Sequence, residues 1–203
     1  LVIYFFEPIP SIGLGMMLVA ACPGGNISNL ITVFARGNTA LSVSLTFLAT
    51  ILALVMTPIN ITFWGNLYGP TRELVQKVAL DPKEVMMTVI FVLGVPLLIG
   101  MILRAQLPKL ALKLQGWLKY LSAFFLAALI LGAFAANFDN FARYWEYVVA
   151  IVIVHNLIAL GSGFLMGTAL KVPFRDRRSI TIEVGIQNSG LGLALAYEYF
   201  GGL

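Results

Sequence analysis

The residue best placed to do chemistry in this 203-residue chain is a carboxylate inside an apolar stretch, Glu183. Gln187 follows one helical turn later, and Asn188 and Ser189 come directly after it. A charged side chain inside a membrane span costs about 2.5–3.5 kcal/mol on insertion scales, so Glu183 should face a partner or a cavity. The alternative is that Glu183, five residues after Arg178, lies near the membrane interface and extends its carboxylate to water.

A second group of polar residues follows an interruption in the first apolar stretch. Pro23 removes a backbone donor and the two glycines after it weaken a helix, so backbone groups are freed there. Asn26, Ser28 and Asn29 come next. Such an opening is tolerated in a membrane only where protein, water or an ion satisfies the freed groups. A simple proline kink is the alternative, but the polar residues favour a functional break.

Ser42 and Thr46 are also four residues apart and share one helix face. Each hydroxyl has the alternative of bonding to its own helix backbone. Combined with Ser28, Asn29 and Glu183, they would form a ligand set made only of oxygen atoms. Such a set suits a small hard cation, and a single carboxylate favours a monovalent ion over a divalent one.

The elements that position these residues are predicted to be membrane helices. The chain is 60% hydrophobic and only 11% charged, against about 25% charged in typical soluble domains. Six long stretches are apolar, and a span needs about 20 such residues. They cover residues 8–35, 37–71, 85–103, 120–138, 147–170 and 179 onward. The sequence therefore predicts an all-α polytopic membrane protein with about six spans, two of them broken at mid-membrane.

The positive charges predict how the spans are oriented. The first, third and fifth loops contain most of the Lys and Arg residues, including Arg36, Lys109 and Arg175. Excess positive charge marks the cytoplasmic side, so we expect these loops in the cytoplasm of a cell bounded by a plasma membrane, such as a bacterial inner membrane. The net charge of +4 does not indicate nucleic acid, because no basic run is interleaved with aromatic residues.

The two broken spans are the first and the sixth, so they cross the membrane in opposite directions. Paired, oppositely directed broken helices are typical of inverted-repeat transporters, whose binding site lies where the breaks cross. The N-termini of the half-helices present free N–H groups and a positive dipole end, which favour an anionic substrate.

Two motifs resemble a known family. Cys22-Pro-Gly-Gly-Asn-Ile-Ser-Asn29, with 35–38 and 41–43, is similar to the fourth and fifth helices of the bile acid:sodium symporter family, and 181–190 is similar to its ninth helix. The resemblance implies a ten-helix fold of two inverted repeats, with panel and core domains. We expect one incomplete transmembrane domain over 1–203, with 8–66 ending the first repeat and 85–203 forming most of the second.

The resemblance also implies the ligands of two sodium sites and a substrate pocket. The first sodium site would use Ser28, Asn29, Ser42, Thr46 and Glu183. The second would use the side chains of Glu183 and Gln187 with the carbonyls of Val184 and Ile186. The substrate would contact Asn26, Asn188 and Ser189.

The predicted function is symport of an organic anion, a bile acid or a smaller carboxylate, by alternating access with sodium as the coupling ion. One alternative is a proton-coupled transporter of similar architecture in which Glu183 titrates. Another is an intramembrane enzyme that uses Glu183 and His155 as acid and base. No nucleophile motif or metal-ligand set accompanies that pair, so we expect the chain not to be an enzyme.

Overall fold

The computed structural model of the chain describes residues 2–77 and 82–201, and nearly all of their regular structure is helical. In chain order the helices are α1 (Val2–Phe6), α2 (Pro10–Ala21), α3 (Asn26–Phe34), α4 (Thr39–Leu67), α5 (Gly69–Lys77), α6 (Pro82–Val89), α7 (Val95–Gln106), α8 (Pro108–Ala136), α9 (Phe138–Ala169), α10 (Phe174–Gly185) and α11 (Ser189–Phe200). A π-helical turn, Ile90–Gly94, joins α6 to α7.

Within the described residues, four helical stretches are long and apolar enough to cross a membrane. They contain 24 to 32 residues each and are Thr39–Leu67, Lys83–Gln106, Pro108–Ala136 and Phe138–Ala169. None of the described side chains in α8 is buried, and Phe124 and Leu131 are 66% and 67% exposed. Apolar helix faces of this kind require lipid as their solvent. The prediction of an all-α polytopic membrane protein is confirmed.

The two remaining apolar stretches are broken helices. The first divides into α2 and α3 around residues 22–25, and the last divides into α10 and α11 around residues 186–188. Cys22 has φ −77° and ψ 150°, the extended conformation that a following proline imposes. Gly25 and Ile186 are extended as well. The sequence signals of Pro23 and of the polar segment after Glu183 thus mark the breaks correctly.

The connections between the long helices are shorter than the charge pattern predicts. Leu107 alone separates α7 from α8, so Lys109 and Lys113 lie on the first turns of a helix rather than in a loop. Asp139 likewise lies in the first turn of α9. Lys and Gln have good helix propensity and Pro108 is favoured at a helix start, so the helices extend beyond their uncharged parts.

The helices around the breaks pack closely. Side chains from α2, α4, α6 and α11 form one buried apolar cluster that includes Leu18, Ile61, Val89 and Leu195. On the other side, α10 lies against α9, and a Cβ at Gly163 would come within 3.0 Å of the Cα of Thr181. This contact between two backbones fixes α10, and with it Glu183, relative to α9.

Candidate functional site

The two breaks cross and pair with each other as antiparallel backbone. Gly24 and Gln187 form an isolated β-bridge. The Gly25 N–H donates to the Ile186 carbonyl at 3.2 Å, and the Asn188 N–H donates to the Pro23 carbonyl at 2.8 Å. Each break therefore satisfies part of the backbone that the other leaves free, as the low-dielectric surroundings require.

Glu183 points into this crossing and is only 7% exposed. Its Oε2 accepts a hydrogen bond from the Ser28 hydroxyl at 2.6 Å, and its Oε1 accepts one from Thr46 at 2.8 Å. Ser42 Oγ lies 3.5 Å from Oε2. Hydrogen bonds to a charged acceptor are short and strong, so these hydroxyls hold the carboxylate in one position.

Asn29 completes the cluster predicted for the first sodium site. Its Oδ1 accepts from Ser42 at 2.8 Å and lies 3.3 Å from the Thr46 hydroxyl. Ser42 and Ser28 are completely buried. Bonding of a serine hydroxyl to its own helix occurs at the exposed Ser44 instead, whose hydroxyl donates to the Ala40 carbonyl. The structure thus brings together all five residues of this predicted set.

The interfacial alternative for Glu183 is wrong. The carboxylate is buried, and in the part of the chain that the structure describes its hydrogen-bond partners are hydroxyls. Arg178 is occupied elsewhere, because its Nη1 donates to the Ala35 carbonyl at 2.9 Å and its guanidinium stacks on Phe174. The site therefore holds a negative charge that these neutral neighbours do not balance.

The residues predicted for the second sodium site lie on one turn at the end of α10. Gln187 Nε2 donates to the Val184 carbonyl at 2.9 Å, and the Ile186 carbonyl accepts from Gly25. Each carbonyl oxygen has two lone pairs, so both keep one lone pair for another partner. The four residues do not converge on one point as those of the first set do.

A cavity of about 760 Å³ opens on one side of the crossing, next to the residues predicted to contact substrate. Asn188 and Ser189 line it, and Asn188 caps α11 by accepting from the Leu191 N–H at 3.1 Å. Asn26 begins α3, and its side chain lies outside the described residues. Ile130 of α8 forms part of the opposite wall.

A second cavity, of about 430 Å³, contains His155 together with Asn60, Ser162 and Gln187. His155 is not among the described hydrogen-bond partners of Glu183, so the structure does not join the acid and base of the enzyme alternative. Across residues 2–77 and 82–201, no cluster of three or more His, Cys, Asp or Glu is arranged to hold a metal ion.

Two further residues belong to the site. Thr32 is completely buried, and its hydroxyl lies 3.2 Å from that of Ser42. A Cβ at Gly24 would overlap the Glu183 carboxyl, so only glycine fits beside it. Thr32 follows Ser28 at the four-residue spacing that signals a shared face, whereas nothing in the sequence alone reveals the close approach at Gly24.

Comparison with known proteins gives a consistent result. A family model described as "Sodium Bile acid symporter family" matches residues 1–144. A Bacillus subtilis protein named "Uncharacterized sodium-dependent transporter YocS" is 34% identical over 93% of this chain and 56% of its own length. "Probable sodium/metabolite cotransporter BASS1, chloroplastic" of Arabidopsis thaliana is 32% identical over 95% of the chain and 46% of its own.

A third relative, the human "P3 protein", is 28% identical over 91% of the chain and 38% of its own length. The chain therefore spans about half the length of the curated relatives it matches. The relatives from Bacillus subtilis and Arabidopsis thaliana are named as transporters and not as enzymes. The prediction that this chain is not an enzyme is confirmed.

Proposed function

The chain belongs to the sodium bile acid symporter family, and we propose that it supplies the sodium-binding core of a symporter for an organic anion. The observation that carries this proposal is the buried Glu183 carboxylate, held by the Ser28 and Thr46 hydroxyls without a balancing cation among the described residues.

Sodium fits the chemistry of this cluster. Ser28, Ser42, Thr46 and Asn29 offer neutral oxygen atoms around one carboxylate, which can replace the hydration shell of a monovalent cation. Hydroxyls that now donate to Glu183 also have lone pairs, so they can turn toward an ion. Two opposite charges 4 Å apart attract by about 4 kcal/mol at an effective dielectric constant of 20. This attraction is comparable with the cost of about 2.5–3.5 kcal/mol for a charge inside a span, so a bound cation offsets that cost.

The second set, Glu183, Gln187 and the carbonyls of Val184 and Ile186, is proposed to bind a further sodium ion. The free lone pairs of the two carbonyls and their place beside Glu183 support this assignment. Glu183 would then be shared between the two ions, which links their occupancy.

An organic anion suits the cavity of about 760 Å³ at the crossing. The half-helices α3 and α11 both begin at the breaks, so their free N–H groups and positive dipole ends lie beside this cavity. No Lys or Arg is among its described lining residues. We therefore assign recognition of the anionic group to these helix starts and to Asn26, Asn188 and Ser189, and recognition of the rest of the substrate to the apolar walls.

Alternating access is proposed to occur across the same cavity. Ile130 of α8 lies on one wall, and residues of α2 and α11, such as Leu18 and Leu193, lie on the other. Since α8 buries none of its described side chains, it can move relative to the packed cluster of α2, α4 and α11. Ion binding between the breaks would bias which side of the cavity is open.

The membrane orientation is also a proposal. The loops of Arg36 and Arg175 lie together, because the Arg175 Nε donates to the Gly37 carbonyl at 3.1 Å. Two loops on one face agree with an odd number of crossings between them. We place this face, together with Lys109, in the cytoplasm, and the protein in the plasma membrane.

The test is uptake of carboxylates by membrane vesicles that contain the full-length protein, with sodium exchanged for choline at fixed pH. A screen of bile acids and smaller keto or hydroxy acids identifies the substrate beforehand by thermal stabilisation in sodium. The proposal predicts uptake in sodium and background uptake in choline. Uptake that persists in choline and follows the proton gradient would instead support the proton-coupled alternative.

A further inference from the structure

A group of buried and half-buried hydrogen bonds joins the loop between α3 and α4 to the start of α10. The Asn38 N–H donates to Ser179 Oγ at 2.7 Å, and Ser179 Oγ lies 3.0 Å from the Asn38 carbonyl. The Asn38 side-chain amide donates to Asp176 Oδ1 at 2.8 Å. We call Asn38, Asp176 and Ser179 the Asn38 clasp. Ser179 is completely buried, so the clasp connects two segments that are 141 residues apart without water between them.

Neighbouring contacts hold the loop in a single conformation. Arg178 and Arg175 donate to the carbonyls of Ala35 and Gly37. Arg36 adopts a left-handed backbone, with φ 54°. A Cβ at Gly37 would lie 2.9 Å from Ser179 Oγ, so only glycine allows this close approach. The loop cannot shift along α10 without breaking several of these contacts together.

The clasp lies one helical turn from the proposed sodium site on both helices that it joins. Asn38 caps α4, since its Oδ1 accepts from the Leu41 N–H, and Ser42 follows four residues later. On α10, Ser179 precedes Glu183 by four residues. Four residues advance a helix by about 6 Å and return to nearly the same face. Fixing Asn38 to Ser179 therefore also fixes the distance between Ser42 and Glu183.

We propose that the Asn38 clasp sets the sodium affinity of the first site. Its members are positioning residues, because none of them contacts Glu183 or the hydroxyls that surround it. This inference rests on the proposed function, since it assumes that the cluster around Glu183 binds sodium. Oxygen ligands must meet the ion at fixed distances, so a small rotation of α4 against α10 would separate Ser42 and Thr46 from Glu183 and weaken binding.

Two substitutions at Asp176 test the hydrogen bond itself. Asp176→Ala removes the partner of the Asn38 amide, whereas Asp176→Asn keeps an acceptor oxygen at that position. Loss of an outer partner of a metal ligand typically lowers metal affinity about 10- to 100-fold. We expect the sodium concentration that gives half-maximal thermal stabilisation to rise about tenfold in Asp176→Ala, with Asp176→Asn close to wild type.

The experiment uses the full-length protein in nanodiscs, titrated with sodium chloride against choline chloride at constant ionic strength. The melting temperature in choline alone reports general stability, and the sodium midpoint reports the site. Ser44→Ala is the matched control, since Ser44 is exposed on α4 and bonds only its own helix. If Asp176→Ala does not fold, Ser179→Ala replaces it, with the same expected shift.

The outcomes separate the clasp from the proposed function. A raised sodium midpoint in Asp176→Ala but not in Asp176→Asn or Ser44→Ala supports the clasp. A wild-type midpoint in Asp176→Ala overturns it, and so does an equal shift in Asp176→Asn, because that result points to the charge at the start of α10. If the wild-type protein shows no sodium response at all, the proposed function itself fails and the clasp fails with it.

Discussion

Gly24 gives the sharpest perturbation of the proposed sodium site. A Cβ built at this position lies 2.7 Å from the Glu183 Cδ and closer still to Oε1. The obstructing atoms are the end of a flexible side chain, and the backbone of Gly24 does not have a positive φ. Gly24→Ala should therefore fold, with the carboxylate rotated away from Ser28 and Thr46.

The magnitude follows from the contacts that this rotation breaks. Glu183 accepts hydrogen bonds from Ser28 at 2.6 Å and from Thr46 at 2.8 Å. A hydrogen bond to a charged group contributes about 1.5–3 kcal/mol, and the displaced carboxylate also leaves the ion. A loss of about 3 kcal/mol or more corresponds to a decrease in sodium affinity of at least about 100-fold, since 1.4 kcal/mol is tenfold.

The assay is equilibrium binding of sodium to the purified full-length protein, with Gly25→Ala as the neighbouring control. A Cβ at Gly25 approaches the Gln187 carbonyl oxygen at 3.3 Å and the Asn188 Cα at 3.4 Å, and the Glu183 carboxyl is not among its nearest atoms. We expect Gly25→Ala to retain sodium binding and Gly24→Ala to lose it. A Gly24→Ala protein with wild-type sodium affinity would refute the placement of Glu183 at the ion.

Three further predictions use other features of the same region. Glu183→Gln should abolish the sodium response and leave the melting temperature in choline unchanged or higher, because it removes a buried charge without a described cationic partner; a large decrease would reveal an unsuspected partner. Ser42→Ala should raise the sodium midpoint about tenfold while Ser44→Ala leaves it unchanged, since only Ser42 contacts the cluster; equal effects in the two variants would contradict this assignment. Gly163→Ala should lower the melting temperature by overpacking against Thr181, at a cost of about 1–3 kcal/mol, without moving the sodium midpoint, and a shift of that midpoint in calorimetry would show that α9 also acts on the site.

The broken helices and their meeting could be predicted from the sequence because each break has a local chemical cause. Pro23 cannot donate a backbone hydrogen bond, and a carboxylate such as Glu183 is too costly to leave in lipid. The regular spacing of Ser42 and Thr46 then indicates one helix face. These signals are carried by a few neighbouring residues, so a reader of the sequence has all the information needed.

The remaining features depend on how distant segments dock. Ser179 pairs with Asn38 only because α10 packs beside the loop after α3, and no local pattern announces this contact. Gly24 looks like one more helix breaker until the Glu183 carboxyl is placed against it. The charged residues around Lys109 suggested a loop, yet they continue a helix, because charge ends an apolar stretch without ending its hydrogen-bond ladder.

The most direct test of the sodium site is binding of radioactive sodium to the full-length protein and to its Glu183→Gln variant, at fixed pH and ionic strength. The proposed mechanism predicts saturable binding to the wild-type protein, competed by unlabelled sodium but not by choline, and no saturable binding to the variant. Equal binding to both proteins would show that the ion lies elsewhere and that the carboxylate between the two breaks serves another purpose.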